Sequence, residues 1–316
     1  MSLMLSINYF IFSIFFTLFV LEVGIALILL LEYEKYKDNL KRFLMPLWEV
    51  TGTFAIFYIV NLEAVVPSLL LLIGTIFVVP LLVAAIFFIL RNAFLSYSEY
   101  MGDKISEKRY SHVYAISTII VAFIVISVLD SGISGIAINA SSYSINLLMM
   151  FVNPFNILMF LGIALLAVFI AAAFFRIREY KLFSILSAVL GIIAIAIAVH
   201  SSLNYLFDSA FNTGLPYLLG LLALLTVSLF MHYNGNKYAK YISVLWFFLA
   251  VNFFCFMQGS YILGGTVNTN NYVATGAMAF YINVVTIIGG AILAASLIYM
   301  VYISYMKKAP KTNGNY

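Results

Sequence analysis

Two carboxylates stand inside long apolar runs: Glu22 in TLFVLEVGIALIL and Glu49 in PLWEVTGTFAIF. An acid within a membrane is costly and by default marks a proton or ion path, because desolvation favours its protonated form. Glu22 lies about fifteen residues into the first run, roughly 22 Å along a helix at 1.5 Å per residue. Glu49 enters the same half of the membrane from the next run. Together they would form a mouth that takes protons from one side. For Glu49 there is a structural alternative, a carboxylate capping the start of its helix, where the helix dipole favours negative charge. Glu22 has no such alternative, and a functional or partner-binding role is expected of it. His112, His200 and His232 are the three candidate axial ligands for a haem. A shared site between His112 and His232 is conceivable, but nothing in their spacing asks for one, and they read as satisfied interfacial histidines. Asn252, Gln258 and Asn283 read as bonds between helices. No phosphate loop or Gly-x-Ser-x-Gly elbow occurs, so no catalytic residue and no metal ligand is expected in this chain.

The elements that must hold these residues follow from composition. Of 316 residues, 65% are hydrophobic and 9% charged, too few charges to keep a domain of this size in water. The chain is therefore expected to be one polytopic membrane domain over residues 1–316, its first apolar run retained as a span rather than cleaved as a leader. Its single cysteine, Cys255, lies in an apolar run and reads as a small buried side chain; disulfides within the chain and Cys-rich metal clusters are excluded. With about 20 residues needed per crossing, nine spans are predicted: 7–31, 46–63, 67–90, 112–130, 154–175, 182–206, 215–232, 240–263 and 277–305. The second and third are joined only by LEAVVP, where Glu63 and Pro67 make a tight reversal. Pro80, with Gly74 nearby, interrupts the third. The stretch from about Arg91 to Ser111 is the longest predicted to sit wholly in water.

The cations decide the orientation. Lys35, Lys37, Lys41 and Arg42 fall in the first connection, and Arg91, Lys104, Lys108 and Arg109 in the third. Arg176, Arg178 and Lys181 fall in the fifth, Lys237 and Lys240 in the seventh, and Lys307, Lys308 and Lys311 in the tail. Nine spans put all 16 on one side, whereas merging the second and third would split them. The positive-inside rule then places the N-terminus outside and the C-terminus in the cytoplasm. The net charge of +4 is thus a topology signal rather than a sign of nucleic acid. The opposite side is nearly free of charge, with Glu63, Asp130 and Asp208 as its candidate acids. Such a surface would suit exposure to acid, or loops packed on partners or lipid.

The order of elements resembles subunit II of the cytochrome bd quinol oxidases across nearly the whole chain. An acidic first helix and a basic connection lead to Pro46, Leu47, Trp48 and Glu49, similar to a Pro-x-Trp-Asp-Gly-Asn motif. Arg91, Phe94 and Tyr97 follow the third span, and Asn153, Pro154, Phe155 and Leu158 match an Asn-Pro-Phe-x-x-Leu motif opening the fifth. Here Glu-Val-Thr stands in place of the family's Asp-Gly-Asn, and LEVGIAL in place of its Gly-Phe-Asp segment, the mark of a divergent member. The resemblance implies an all-α fold of two four-helix bundles plus one peripheral helix in a prokaryotic plasma membrane. It implies a haem-bearing subunit I as partner, which holds the haems and the main quinol site. This chain would hold no haem, would support assembly of its partner and would bring it cytoplasmic protons through Glu49 and Glu22, with a bound quinone or lipid as a further possibility. The rival readings are a secondary transporter, whose broken helices should recur in matching positions of two halves, and a membrane anchor of another electron-transfer complex.

Overall fold

The computed structural model describes residues 2–100, 104–139 and 142–306, and its long elements are all helical. In chain order they are α1 (Leu3–Val65), α2 (Pro67–Ile76), α3 (Val78–Tyr100), α4 (Lys104–Ser134), α5 (Leu147–Val152), α6 (Pro154–Phe174), α7 (Lys181–Ser202), α8 (Asn204–Asn212), α9 (Leu215–Tyr233), α10 (Ala239–Gln258) and α11 (Gly276–Met306). Among the described residues, eight helices are long and apolar enough to cross a membrane. The first of these makes two crossings. A straight 63-residue helix would be roughly 95 Å long, yet the Tyr58 ring lies 5.2 Å from Phe12 and 6.3 Å from Phe15. The chain turns back at Glu32, the one residue of α1 with non-helical dihedrals (φ −140°, ψ 49°). The nine predicted crossings are therefore present.

The reversal at LEAVVP is also present: α1 ends at Val65, Val66 leaves helical geometry (φ −138°, ψ 61°), and Pro67 opens α2 where a missing N–H costs nothing. Pro80 cannot bond the carbonyl of Ile76, and the third span is broken there into α2 and α3. Two predicted spans end early. The sixth stops at Ser202 and hands over to α8, and the eighth stops at Gln258, where Gly259 adopts φ +66°.

The first arm of α1 is the hub, with Val20, Ile25 and Ala26 fully buried. Together with its second arm, α2–α3 and α4 it forms one four-helix bundle; α6, α7, α9 and α10 form the other; α11 packs at the periphery against the second arm. There Thr286 donates to Asn61 Oδ1 (2.5 Å). Without a hydrophobic drive between helices in lipid, close approach rests on small residues. Gly24 meets Ala167 and Ala171 of α6, and Gly162 of α6 meets Gly191 of α7.

The two ends of the molecule differ. At one end the first and third connections are laced by Lys41–Glu107 (2.9 Å) and Lys108–Glu34 (3.0 Å), and Lys35 pairs with Glu179 of the fifth. The hydrogen bond from Lys41 holds Glu107 below the usual carboxylate range, and that from Lys108 does the same for Glu34. Both contacts are therefore in force at neutral pH and weaken as pH falls through those lowered values. Lys307, Lys308 and Lys311 lie outside the described residues. At the other end the connections bear two short hairpins, β1 (Ile138–Asn139) with β2 (Ser144–Ile145) and β3 (Tyr261–Ile262) with β4 (Val267–Asn268). They are tied to the bundles by backbone bonds such as Leu263 N–H to Gly132 O (2.7 Å) and Ala274 N–H to Val65 O (2.9 Å). Gly264, at φ +65°, is required there, since a Cβ would lie 2.8 Å from the Ser134 carbonyl oxygen. Of the candidate acids at this end, Glu63 and Asp208 are exposed, but Asp130 is not in a connection: α4 continues to Ser134 and buries it.

Candidate functional site: a buried ion pair and an apolar cavity

Glu22 is fully buried, and so is its partner: Arg91 Nη2 on α3 donates to Glu22 Oε2 at 2.5 Å. This corrects the expectation that Arg91 opens an aqueous stretch. Residues 91–100 continue α3, and a guanidinium that carbon surroundings would otherwise reject is held by the carboxylate of another helix. Phe88 lies under it, with the guanidinium carbon 5.0 Å from the ring centroid, and the fully buried Tyr114 of α4 adjoins both charges. Glu22 Oε1, Arg91 Nε and the Tyr114 hydroxyl have no protein partner, so the pair retains polar capacity that water or a proton carrier can use.

Trp48 of the second arm donates from Nε1 to Asn92 Oδ1 (2.7 Å), the residue after Arg91. Since Phe12 and Phe15 face Tyr58, the antiparallel arms also bring Glu22 level with the turn that carries Trp48 and Glu49. The structure thus gathers Glu22, Arg91, Trp48 and Glu49 at one depth but does not join the two acids. Glu22 points into the bundle and Glu49 is exposed on its outside. Nor does Glu49 cap a helix: α1 runs through Pro46 without interruption, placing Glu49 well inside the second arm. Pro46 is tolerated because the lost hydrogen bond falls near the basic end rather than in the apolar interior.

The Asn-Pro-Phe motif is a helix start. Asn153 accepts from Phe155 N–H (2.9 Å), Pro154 occupies the first helical turn, and Phe155 is buried. The next residue, Asn156, donates to Ser131 Oγ and to Met150 O, locking α6 to α4 and α5. Asn153→Ala is expected to cost about 1 kcal/mol through loss of the cap, read as a lower midpoint of thermal unfolding.

The three histidines have separate packing partners. His112 is bonded to Lys108 O (2.7 Å) and packs on Tyr33 in the first bundle, whereas His232 is bonded to Ser184 (2.8 Å) and packs on Phe169 in the second. His200 packs on Phe207, near the far end.

Between the bundles lies an apolar cavity of about 600 Å³, walled by Phe12, Tyr58, Ile163, Trp246 and Phe247 and reached by Asn8 and Asp130. Asp130 Oδ2 and both polar atoms of the Asn8 side chain lack protein partners. Composition did not disclose this cavity: its walls come from helices distant in sequence, and Asp130 sits close enough to a run of Ser and Gly to be read as loop.

A family profile described as cytochrome bd terminal oxidase subunit II matches residues 2–304. A putative cytochrome bd menaquinol oxidase subunit II of Bacillus subtilis (strain 168) is 29% identical over 137 residues, a match covering 43% of this chain and 38% of that relative's length. The solved structure of bd oxidase from Geobacillus thermodenitrificans contains a chain that superimposes with a TM-score of 0.75 over 96% of this chain and 98% of its own, at 17% identity, a likeness of fold.

Proposed function

Because the chain belongs to the cytochrome bd terminal oxidase subunit II family and is a multi-pass protein of the prokaryotic plasma membrane, we propose that it is the haem-free subunit of a quinol:oxygen oxidoreductase. Its partner is a haem-bearing subunit I, which carries the haems, reduces oxygen and oxidises the quinol. The description of the Bacillus relative as a menaquinol oxidase subunit favours a quinol as electron donor. The basic end faces the cytoplasm by the positive-inside rule. Supporting the fold of the partner is one task of this chain; supplying protons is the other.

The observation that carries the proton reading is the Glu22–Arg91 pair with its unpartnered Glu22 Oε1 and Tyr114 hydroxyl, level with Glu49 on the outer face. Glu49 takes a proton near the cytoplasmic boundary. Being exposed on the second arm, it hands the proton on along the surface that meets the partner. Glu22 acts from within the bundle, where it is paired with Arg91 and its Oε1 has no protein partner. The cavity near Asp130 and Asn8 suits the apolar tail of a quinone or lipid, bound for structural support.

Glu49→Gln is expected to lower oxygen consumption by the purified complex severalfold while leaving its haem content unchanged. Oxygen electrode rates set beside the haem absorbance decide this; equal turnover in variant and wild type reduces Glu49 to a surface carboxylate.

A further inference from the structure

The basic end of the second bundle holds an arrangement that proton supply does not use. Helices α6 and α9 end side by side in the same type of cap. Ile177 N–H bonds Ala172 O and Arg176 N–H bonds Ala173 O; in α9, Asn236 N–H bonds Met231 O and Gly235 N–H bonds His232 O. The position that favours glycine is filled by Gly235 in one helix (φ +66°) but by Arg176 in the other (φ +57°), a left-handed backbone that a side chain resists. Arg176 Nη2 and Arg178 Nη2 both donate to the carbonyl oxygen of Gly235, at 3.1 and 3.2 Å. Two guanidiniums are thereby drawn onto one oxygen, although like charges repel and neither is buried. Lys181 lies 4.2 Å from the centroid of the Tyr233 ring, and Lys237 follows Gly235 by two residues.

The carboxylates that could neutralise this cluster are engaged elsewhere. Glu179 is taken by Lys35 and by the Tyr36 hydroxyl, and Glu32 accepts from the Tyr180 hydroxyl (2.8 Å). The other basic connections differ, since there Lys41 and Lys108 have Glu107 and Glu34 as partners. Directly beneath Gly235, towards the membrane interior, runs a groove of about 300 Å³ lined by Thr226, Val227, Phe230, Met231, Asn234 and Asn236. Phe230, within this lining, exposes apolar surface.

We propose that this is a binding site for an anionic phospholipid. The phosphate accepts from the free N–H groups of Arg176 and Arg178, with Lys181 and Lys237 adding charge, and one acyl chain lies in the groove along α9. Guanidinium forks suit phosphate oxygens, the caps of α6 and α9 place them at the depth of lipid headgroups, and the groove continues from them into the apolar zone. The shared chemistry is a phosphate, and the groove separates a lipid from a free ion.

The test uses the intact purified complex exchanged into nanodiscs or detergent with phosphatidylglycerol or phosphatidylcholine, with bound lipid read by native mass spectrometry. Phosphatidylglycerol is expected to remain on the wild-type complex after phosphatidylcholine has been washed away. Arg176→Gln with Arg178→Gln is expected to weaken its retention by about tenfold or more, given the contribution of each surface cation to binding anionic lipid. Val227→Trp, which fills the groove and leaves both arginines in place, is expected to weaken it as well and serves where the double variant does not assemble. Inorganic phosphate at matched concentration is expected to displace nothing. Equal retention of phosphatidylglycerol by wild type and either variant, equal retention of the two lipids, or release by inorganic phosphate overturns the proposal.

Discussion

Arg91→Ala is expected to destabilise the protein by about 3–5 kcal/mol, because it leaves the carboxylate of Glu22 buried and unpaired. Glu22 has no exposed surface and, among the described residues, no other cationic partner, so it must either protonate or drag water into the bundle. The outcome is a steep fall in the yield of assembled complex and in its unfolding temperature. The companion experiment gives the first its meaning. Glu22→Leu combined with Arg91→Met replaces both charges by apolar groups of comparable reach, a change that is often neutral or stabilising for buried pairs. The double variant is expected to recover the unfolding temperature of the wild type while oxygen consumption stays low. Recovery of both would make the pair structural only. Thermal unfolding and oxygen uptake, measured on the same preparations, separate these results.

Gly24 carries the second large expectation. It lies two residues from Glu22 on the hub helix, and a Cβ built there would sit 2.1 Å from the carbonyl oxygen of Ala167 and 2.8 Å from Ala171 Cβ. The obstruction is backbone, so no rotamer change relieves it, and α1 would have to part from α6 where the two bundles meet. Gly24→Ala is expected to cost at least about 1–3 kcal/mol, and Gly24→Leu to prevent assembly. Gly220→Ala on α9 is the control: nothing lies within 4 Å of its would-be Cβ, and alanine in a helix gains roughly 0.5–1 kcal/mol over glycine. Unfolding midpoints of the three variants should therefore fall on both sides of the wild type. A Gly24→Ala protein as stable as Gly220→Ala would contradict the close packing of the bundles.

The spans were legible because each states its own identity: about twenty apolar residues, bounded by cations or by Gly and Asn. The tight reversal at Val66 was legible because Pro67 starts a helix better than it continues one. What the chain could not disclose locally was pairing. Arg91 looks like the start of an aqueous segment because the carboxylate that permits its burial lies 69 positions earlier on another helix. Asp130 looks like a loop acid for a related reason: its neighbours Ser131, Gly132 and Ser134 are loop formers in water, yet Ser134 bonds the carbonyl of Asp130 and continues the helix. Glu49 shows the limit of position alone. Its depth beside Glu22 was readable from run lengths, but which way it faces depends on the phase of a helix that runs unbroken through Pro46. Motif resemblance fared differently at two sites. Trp48 and Arg91 converge on one level through Asn92 and Glu22, whereas Asn153 and Pro154 are explained by helix capping.

The central claim is that this chain works beside a haem-bearing partner and holds no haem itself. Its most direct test is an absorbance spectrum of the tagged chain purified from its native membrane, recorded first with whatever copurifies and again after the subunits are separated and identified by mass. The account predicts a haem spectrum that accompanies a second membrane subunit and is absent from this chain alone. Haem retained by the isolated chain would contradict it, as would a chain that copurifies with no haem protein at all.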